Sequence, residues 1–198
     1  MKKLMTILVA LAIATTAFAA PKTVIEMASE FLVKHEGAVM VNGVHVLYDD
    51  KAPTYVNGKF NTRKIIADNE TFEQFKARCK GTPTIGYGTT DEWVCRLIKI
   101  NDNSAKYFLR RDLQKIVSYM PKKFGTAWNN LNRNQQAALL SYFYNCGMYS
   151  KHPAMLKLMK SNPSKCYTQM DAGLKTAKAK GLKGLISRRQ AEQNLFNK

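Results

Sequence analysis

Glu36 closes a run in which Val24, Ile25, Ala28, Phe31 and Leu32 recur with the period of a helix, and Gly37 directly after it reads as a helix stop. A carboxylate so placed sits on the last turn of a packed helix and is rigidly held. Asp49 and Asp50 follow in a stretch of short β-branched and aromatic runs. A carboxylic acid at a helix end and a carboxylate in a hairpin can face each other across a cleft. Glycoside hydrolysis needs such a pair: one acid protonates the leaving oxygen, and a second group positions water or attacks the sugar. Taken alone, the pattern also fits a solvated helix end with no chemistry.

The elements that must position these residues divide the chain in two. From about Ala38 to Thr90, Gly43, Gly58, Gly81, Gly86 and Gly88 punctuate short strand-like runs, which reads as hairpins and loops, with a short helix over Thr71 to Arg78. From Ser104, a fair N-cap, the pattern turns helical, with Phe108, Leu109, Leu113, Ile116 and Val117 on one stripe. Further helices are expected over Asn134 to Asn145, Pro153 to Met159 and Ser187 to Phe196. The expected fold class is α+β: a small mixed lobe with hairpins, then a larger, mostly helical lobe, with a ligand cleft between them. Trp93 and Trp128 are either sugar-stacking rings or packing residues.

Length and composition set the frame. The 198 residues suffice for one domain with a real core. Met1-Lys2-Lys3, an apolar run from Leu4 to Ala14 and Ala17-Phe18-Ala19 follow the order of a secretory leader. Residues 1–19 are therefore expected to be removed, leaving 20–198 as an exported, periplasmic or secreted, monomeric domain without a stable membrane anchor. The formal net charge of +17 falls by two with that leader and predicts attraction to polyanions. An exported protein meets the anionic bacterial wall first, and no nucleic-acid-binding motif is present. Cys79, Cys95, Cys146 and Cys166 make an even count, which in an exported chain suggests two disulfides, Cys79–Cys95 and Cys146–Cys166 being the local pairing. No CxxC pair occurs, and neither a metal nor a cofactor is expected.

The motifs become specific when read in order. His35-Glu36-Gly37, then Tyr48-Asp49-Asp50, then Gly81-Thr82-Pro83-Thr84-Ile85-Gly86-Tyr87-Gly88 resembles the active-site signature of phage-type lysozymes, the endolysins of glycoside hydrolase family 24. Three later blocks resemble the same family: Ala105 to Leu113, Gln136 to Gly147, and Gly184 to Glu192 with Leu195-Phe196. The resemblance implies a lysozyme-like fold and a muramidase that cleaves the β-1,4 bond of peptidoglycan, with inversion and without a cofactor. It implies Glu36 as general acid, Asp50 as the carboxylate that holds the attacking water, and Thr84 as the hydroxyl that helps place it. It implies Arg188 against the acid, at the substrate-binding site. Asn145, within the Gln136–Gly147 block, either contacts sugar as a second substrate-binding residue or satisfies backbone near the cleft.

Two departures qualify this. Between Asp50 and Thr84 lie 33 residues, where the family usually has only a few, so 51–80 reads as an atypical insertion. Closure entropy grows slowly with loop length, so the chain can loop out and return. Asp49 or Asp68 remain alternatives to Asp50. The histidine that follows Gly-Tyr-Gly in the family is Thr89 here. A lysozyme fold that grips peptidoglycan with weak or no catalysis is the alternative reading.

Overall fold

Thr23 opens the first helix of the computed structural model, which describes residues 21–147 and 153–198. The leader read over 1–19 lies outside the described residues. Thr23 Oγ1 accepts from the Glu26 N–H (3.2 Å) while the Glu26 carboxylate accepts from the Thr23 N–H (2.8 Å), a reciprocal cap on α1 (Val24–His35). Glu36 itself, not Gly37, terminates the helix: it adopts extended backbone (φ −85, ψ 128) while its N–H still reaches Leu32 O. Gly37 is not left-handed, so the helix stops without the expected glycine cap.

Short ladders build the small lobe. β1 (Met40–Val41), β2 (Val44–Val46) and β7 (Lys99–Ile100) form an antiparallel sheet in the order β1-β2-β7. The turn between β1 and β2 is Asn42-Gly43, both at positive φ, as a two-residue hairpin turn requires. β3 (Tyr48–Asp49) pairs with β6 (Pro83–Thr84), setting Tyr48 opposite Thr84 and Asp49 opposite Pro83. Between them the insertion makes two short excursions rather than one long loop. The first carries the hairpin β4 (Tyr55–Val56) and β5 (Lys59–Phe60) and returns at Ile65, which bridges Tyr48, while Ile66 N donates to Leu47 O (3.0 Å). The second carries α2 (Phe72–Arg78), capped by Thr71 and Gln74, whose Phe72 and Phe75 enter the core. Buried Lys64 fastens the first excursion, donating to Asp49 O (2.9 Å) and Ala52 O (2.6 Å).

After α3 (Glu92–Cys95), α4 (Asp102–Phe124) runs into the helical lobe of α5 (Thr126–Asn129), α6 (Arg133–Cys146), α7 (Pro153–Ser161), α8 (Tyr167–Ala179) and α9 (Lys183–Phe196). α4 begins before the expected Ser104. Asn101 is its cap, and Ser104 supplies the N–H that Asn101 Oδ1 accepts (2.8 Å). α9 begins at Lys183 rather than Ser187. α8 was not expected from the sequence; Met170, Leu174 and Ala177 give it a narrow buried face among lysines. Gly173 on α8 packs against the Arg189 side chain, where an added Cβ would meet Cδ at an ordinary contact distance of 3.7 Å. α6 packs on α1 and α9, so both helices that matter for the site rest on it. Trp128 is buried packing, whereas Trp93 stays exposed beneath Arg111. Among the described residues, no helix is long and apolar enough to cross a membrane.

The expected disulfides are a correction: neither Cys79–Cys95 nor Cys146–Cys166 is formed. The Cys95 thiol lies buried against Pro83 O (3.4 Å) and Thr89 O (3.7 Å). Cys146 Sγ accepts from Arg189 Nη2 (2.8 Å), and Cys166 is packed in the helical core. The short sequence spacing within each pair did not bring sulfur to sulfur, because each side chain is turned into its own packing.

Candidate active site

Glu36, Asp50, Thr84 and Asn145 line one cleft of about 500 Å³, with Tyr48, Asp112, Lys115 and Tyr144 also on its walls. A larger hollow, about 1210 Å³, lies against the insertion and holds none of these four residues. Paired carboxylates on rigid supports decide which of the two is the candidate active site, not size.

Glu36 reaches the cleft from the end of α1, and its grip comes from the other end of the chain. Arg188 on α9 donates Nη1 to Glu36 Oε1, Nε to Glu192 Oε1 (3.2 Å) and Nη2 to Ser141 O (2.9 Å). Glu192 is fully buried and also accepts from Ser141 Oγ (2.6 Å) and from Arg189 Nη1. Arg189 Nη2 then donates to Asn145 Oδ1 (2.5 Å), while its guanidinium lies over the Tyr142 ring. One buried carboxylate thus holds two arginines, which orient Glu36 and Asn145. Arg188 is itself buried, so it sits behind the acid rather than on the cleft wall. Glu192 was not singled out by sequence reasoning. Its spacing of four and three residues from the arginine pair on one helix was the signal available.

The β3–β6 ladder sorts the aspartates. Asp49 is buried, with Oδ1 accepting from Lys51 N and Gly81 N (both 3.0 Å) and Oδ2 from Lys80 N (2.7 Å). Burial pulls the Asp49 carboxyl up, but the N–H groups of Lys80, Lys51, Gly81 and Ala52 together outweigh it and hold it below the ordinary value. Asp50 points the other way, exposed in the cleft, with Oδ1 accepting from Thr82 N (2.7 Å). Gly81 makes both placements possible: an added Cβ would collide with Asp50 Oδ1 and Asp49 Oδ1. Asp68 is 93% exposed and paired with Lys99 (2.8 Å) on another face, and it does not line the cleft.

Thr84 is buried beside Asp50, its hydroxyl donating to Thr82 O (2.9 Å). Thr89, where the resembled family has histidine, donates Oγ1 to Asp112 Oδ2 (3.0 Å) and so ties the small lobe to α4. Tyr144 donates to Tyr87 O (3.0 Å) and lies under Gly88, at φ +103, where an added Cβ would sit 3.2 Å from the ring. Burial, reinforced by the Glu36 and Asp50 charges, pushes the Tyr48 hydroxyl far above its ordinary value, so it stays neutral in the cleft. Among the described residues, no group of His, Cys, Asp and Glu could hold a metal ion.

An α+β fold with small sheets before a helical lobe, and a cleft lined by Glu36 and Asp50, is that of a lysozyme-like protein. The phage lysozyme family model matches residues 67–192, and the chain belongs to that family. This places it among peptidoglycan hydrolases. The matched stretch includes Thr84, Asn145 and Arg188 but begins after Glu36 and Asp50, beyond the first excursion of the insertion. No curated protein matches the sequence significantly.

Proposed function

We propose that the protein is an exported muramidase that hydrolyses the β-1,4 bond between N-acetylmuramic acid and N-acetylglucosamine. The observation that carries this reading is the shared cleft: Glu36 enters from the rigid end of α1, and Asp50 with Thr84 from the β3–β6 ladder. Glu36 protonates the leaving oxygen. Arg188 occupies Oε1 and leaves Oε2 to carry that proton. Asp50 takes the proton of a water that Thr84 helps align, since a hydroxyl can donate and accept at once. Water attacking from the face opposite the leaving group inverts the anomeric carbon, and an inverting pair of carboxylates stands about 6.5–9.5 Å apart to admit it. Asn145, steadied by Arg189, lies on the wall where it can hydrogen-bond sugar. The partner is the polysaccharide of the bacterial wall, reached by a basic monomer after loss of its leader.

Product analysis of digested peptidoglycan tests the reaction. Hydrolysis leaves a reducing muramic acid end, and the proposal expects only that. An anhydro end would replace hydrolysis by a lytic transglycosylase reaction.

A further inference from the structure

The 51–80 insertion opens with a hairpin that the reaction in the cleft does not use. Asn57 and Gly58, both at positive φ, turn the chain sharply between β4 and β5. The base of the hairpin is fixed. Asn61 N donates to Thr54 O (2.9 Å), Asn61 Nδ2 donates to Pro53 O (2.9 Å), and buried Lys64 ties the returning chain to Asp49 O and Ala52 O. Beyond that base every residue from Pro53 to Phe60 is exposed, on both faces of the ladder.

Tyr55 and Phe60 are cross-strand partners whose ring centroids lie 6.3 Å apart, edge to face. Tyr55 is 65% exposed, Val56 48% and Phe60 39%. Large apolar side chains grouped in this way on one hairpin mark a contact surface. The charge around them has one sign. No carboxylate occurs between Lys51 and Ala67, while Lys51, Lys59 and Arg63 are exposed. Among the described residues, these three cationic heads have no hydrogen-bond or ion-pair partner. The neighbouring acids are committed elsewhere: Asp49 to backbone N–H groups, Asp68 to Lys99 and Glu70 to Arg78.

We propose that this hairpin docks the protein reversibly on an anionic phospholipid membrane. Tyr55, Val56 and Phe60 enter the boundary between headgroups and acyl chains, where amphipathic aromatic rings are at home. Lys51, Lys59 and Arg63 meet the lipid phosphates, and their apolar stems can lie along the same boundary. Lipid surrounds an element that is exposed on both faces, whereas sugar stacking wants one flat platform, which an edge-to-face ring pair does not present. A second copy of the chain fits poorly, because two molecules of formal charge +17 repel each other. A short hairpin gives a peripheral contact rather than a stable anchor. For an exported enzyme it would hold the cleft in the space between membrane and wall. The proposal does not depend on which bond the cleft cuts.

The test uses residues 20–198, which hold the whole described fold, because the apolar run from Leu4 to Ala14 would bind lipid by itself. Co-sedimentation is measured with vesicles of phosphatidylglycerol mixed with phosphatidylcholine, and with phosphatidylcholine alone. The wild type should bind the anionic vesicles at least about tenfold more tightly and lose them in strong salt. Tyr55→Ala with Phe60→Ala should weaken that binding about tenfold, the scale of leaving one large apolar side chain in water. Lys59→Gln with Arg63→Gln should cost at least as much. Phe60→Trp keeps an aromatic ring on the hairpin, and on anionic vesicles it should add a fluorescence signal, absent from the wild type, that brominated lipid quenches. Lys157→Gln with Lys160→Gln removes the same charge from exposed positions of α7 and should bind like the wild type. Release of soluble glycan should be the same in all of these proteins. Equal binding of both vesicle types by the wild type would overturn the proposal, as would an unquenched Phe60→Trp signal. Full binding by the Tyr55→Ala, Phe60→Ala protein would leave only a surface for polyanions such as nucleic acid, and an equal loss in the α7 control would reduce the effect to net charge. Either result contradicts docking through the hairpin, and so does a parallel fall in glycan release, which would make the hairpin part of the substrate site.

Discussion

Arg188 joins Glu36 to Glu192, tying the end of the first described helix to the last helix of the chain. Glu192 is buried and shared between two arginines, so removing it strands two guanidinium groups inside the protein. Glu192→Ala should cost about 3–5 kcal/mol, the range for breaking a buried ion pair from one side. Urea unfolding checks this. Glu192→Gln keeps the shape and should cost less, while lowering turnover because Arg188 and Arg189 no longer hold Glu36 and Asn145 as firmly. An Ala variant as stable as wild type would show that the network does not support the fold.

The two adjacent aspartates should respond in opposite ways. Asp49→Asn turns an amide N–H toward backbone donors and should destabilise by about 1–3 kcal/mol, the cost of unsatisfied buried polar groups, with much of the activity per folded molecule kept. Asp50→Asn should leave stability near wild type and lose most activity. The pH dependence follows from the lowered Asp49 carboxyl. Its stabilisation is present above the ordinary aspartate value of about 3.8 and is lost as pH falls below that toward the folded value. Asp102, lowered first by Lys106 and then by the Tyr87 and His45 hydrogen bonds, adds in the same direction. Urea midpoints measured from neutral pH down into the acid range should fall for the wild type, and the gap to Asp49→Asn should close there. A gap that stays constant would refute the assignment.

Gly81→Ala probes the support of both carboxylates. The added methyl meets Asp50 Oδ1, Asp49 Oδ1 and Lys51 Cγ, so the Asp50 carboxylate must leave its place in the cleft. Activity should drop at least about tenfold, since small misplacements of positioned groups carry that scale of penalty. Full activity in Gly81→Ala would mean that Asp50 has freedom the cleft geometry does not require.

Much of this site was legible in the sequence because it is carried by local signals. A helical stripe ending at Glu36, a glycine-rich hairpin region and the Gly81–Gly88 block located three walls of the cleft. The choice between Asp49 and Asp50 was not legible, since it depends on which face of β3 meets the Lys80–Gly81 amides after 33 intervening residues. α8 escaped notice because its buried positions are few and interrupted by lysines and Gly173. Glu192 read as an ordinary polar helix residue, as only the tertiary packing of α9 on α6 buries it.

The cysteines misled for a related reason: an even count states nothing about where each side chain points. Burial lifts the Cys95 and Cys166 thiols to about 12 and Cys79 to about 11, which keeps them protonated and slow to react at neutral pH. Alkylation of the native protein should therefore be slow, fastest at half-buried Cys79, and should reach all four cysteines once the chain is unfolded without reductant. Fewer than four labelled sites in the unfolded chain would show disulfides that the structure lacks.

The proposed reaction turns on the proton of Glu36. Glu36→Gln preserves size and lets the side-chain oxygen still accept from Arg188, while removing the transferable proton. Release of soluble glycan from purified peptidoglycan should then fall by about 10²–10⁴-fold, the worth of general acid catalysis, while the variant stays folded and still binds the wall. A folded Glu36→Gln protein that releases glycan at close to the wild-type rate would contradict the account.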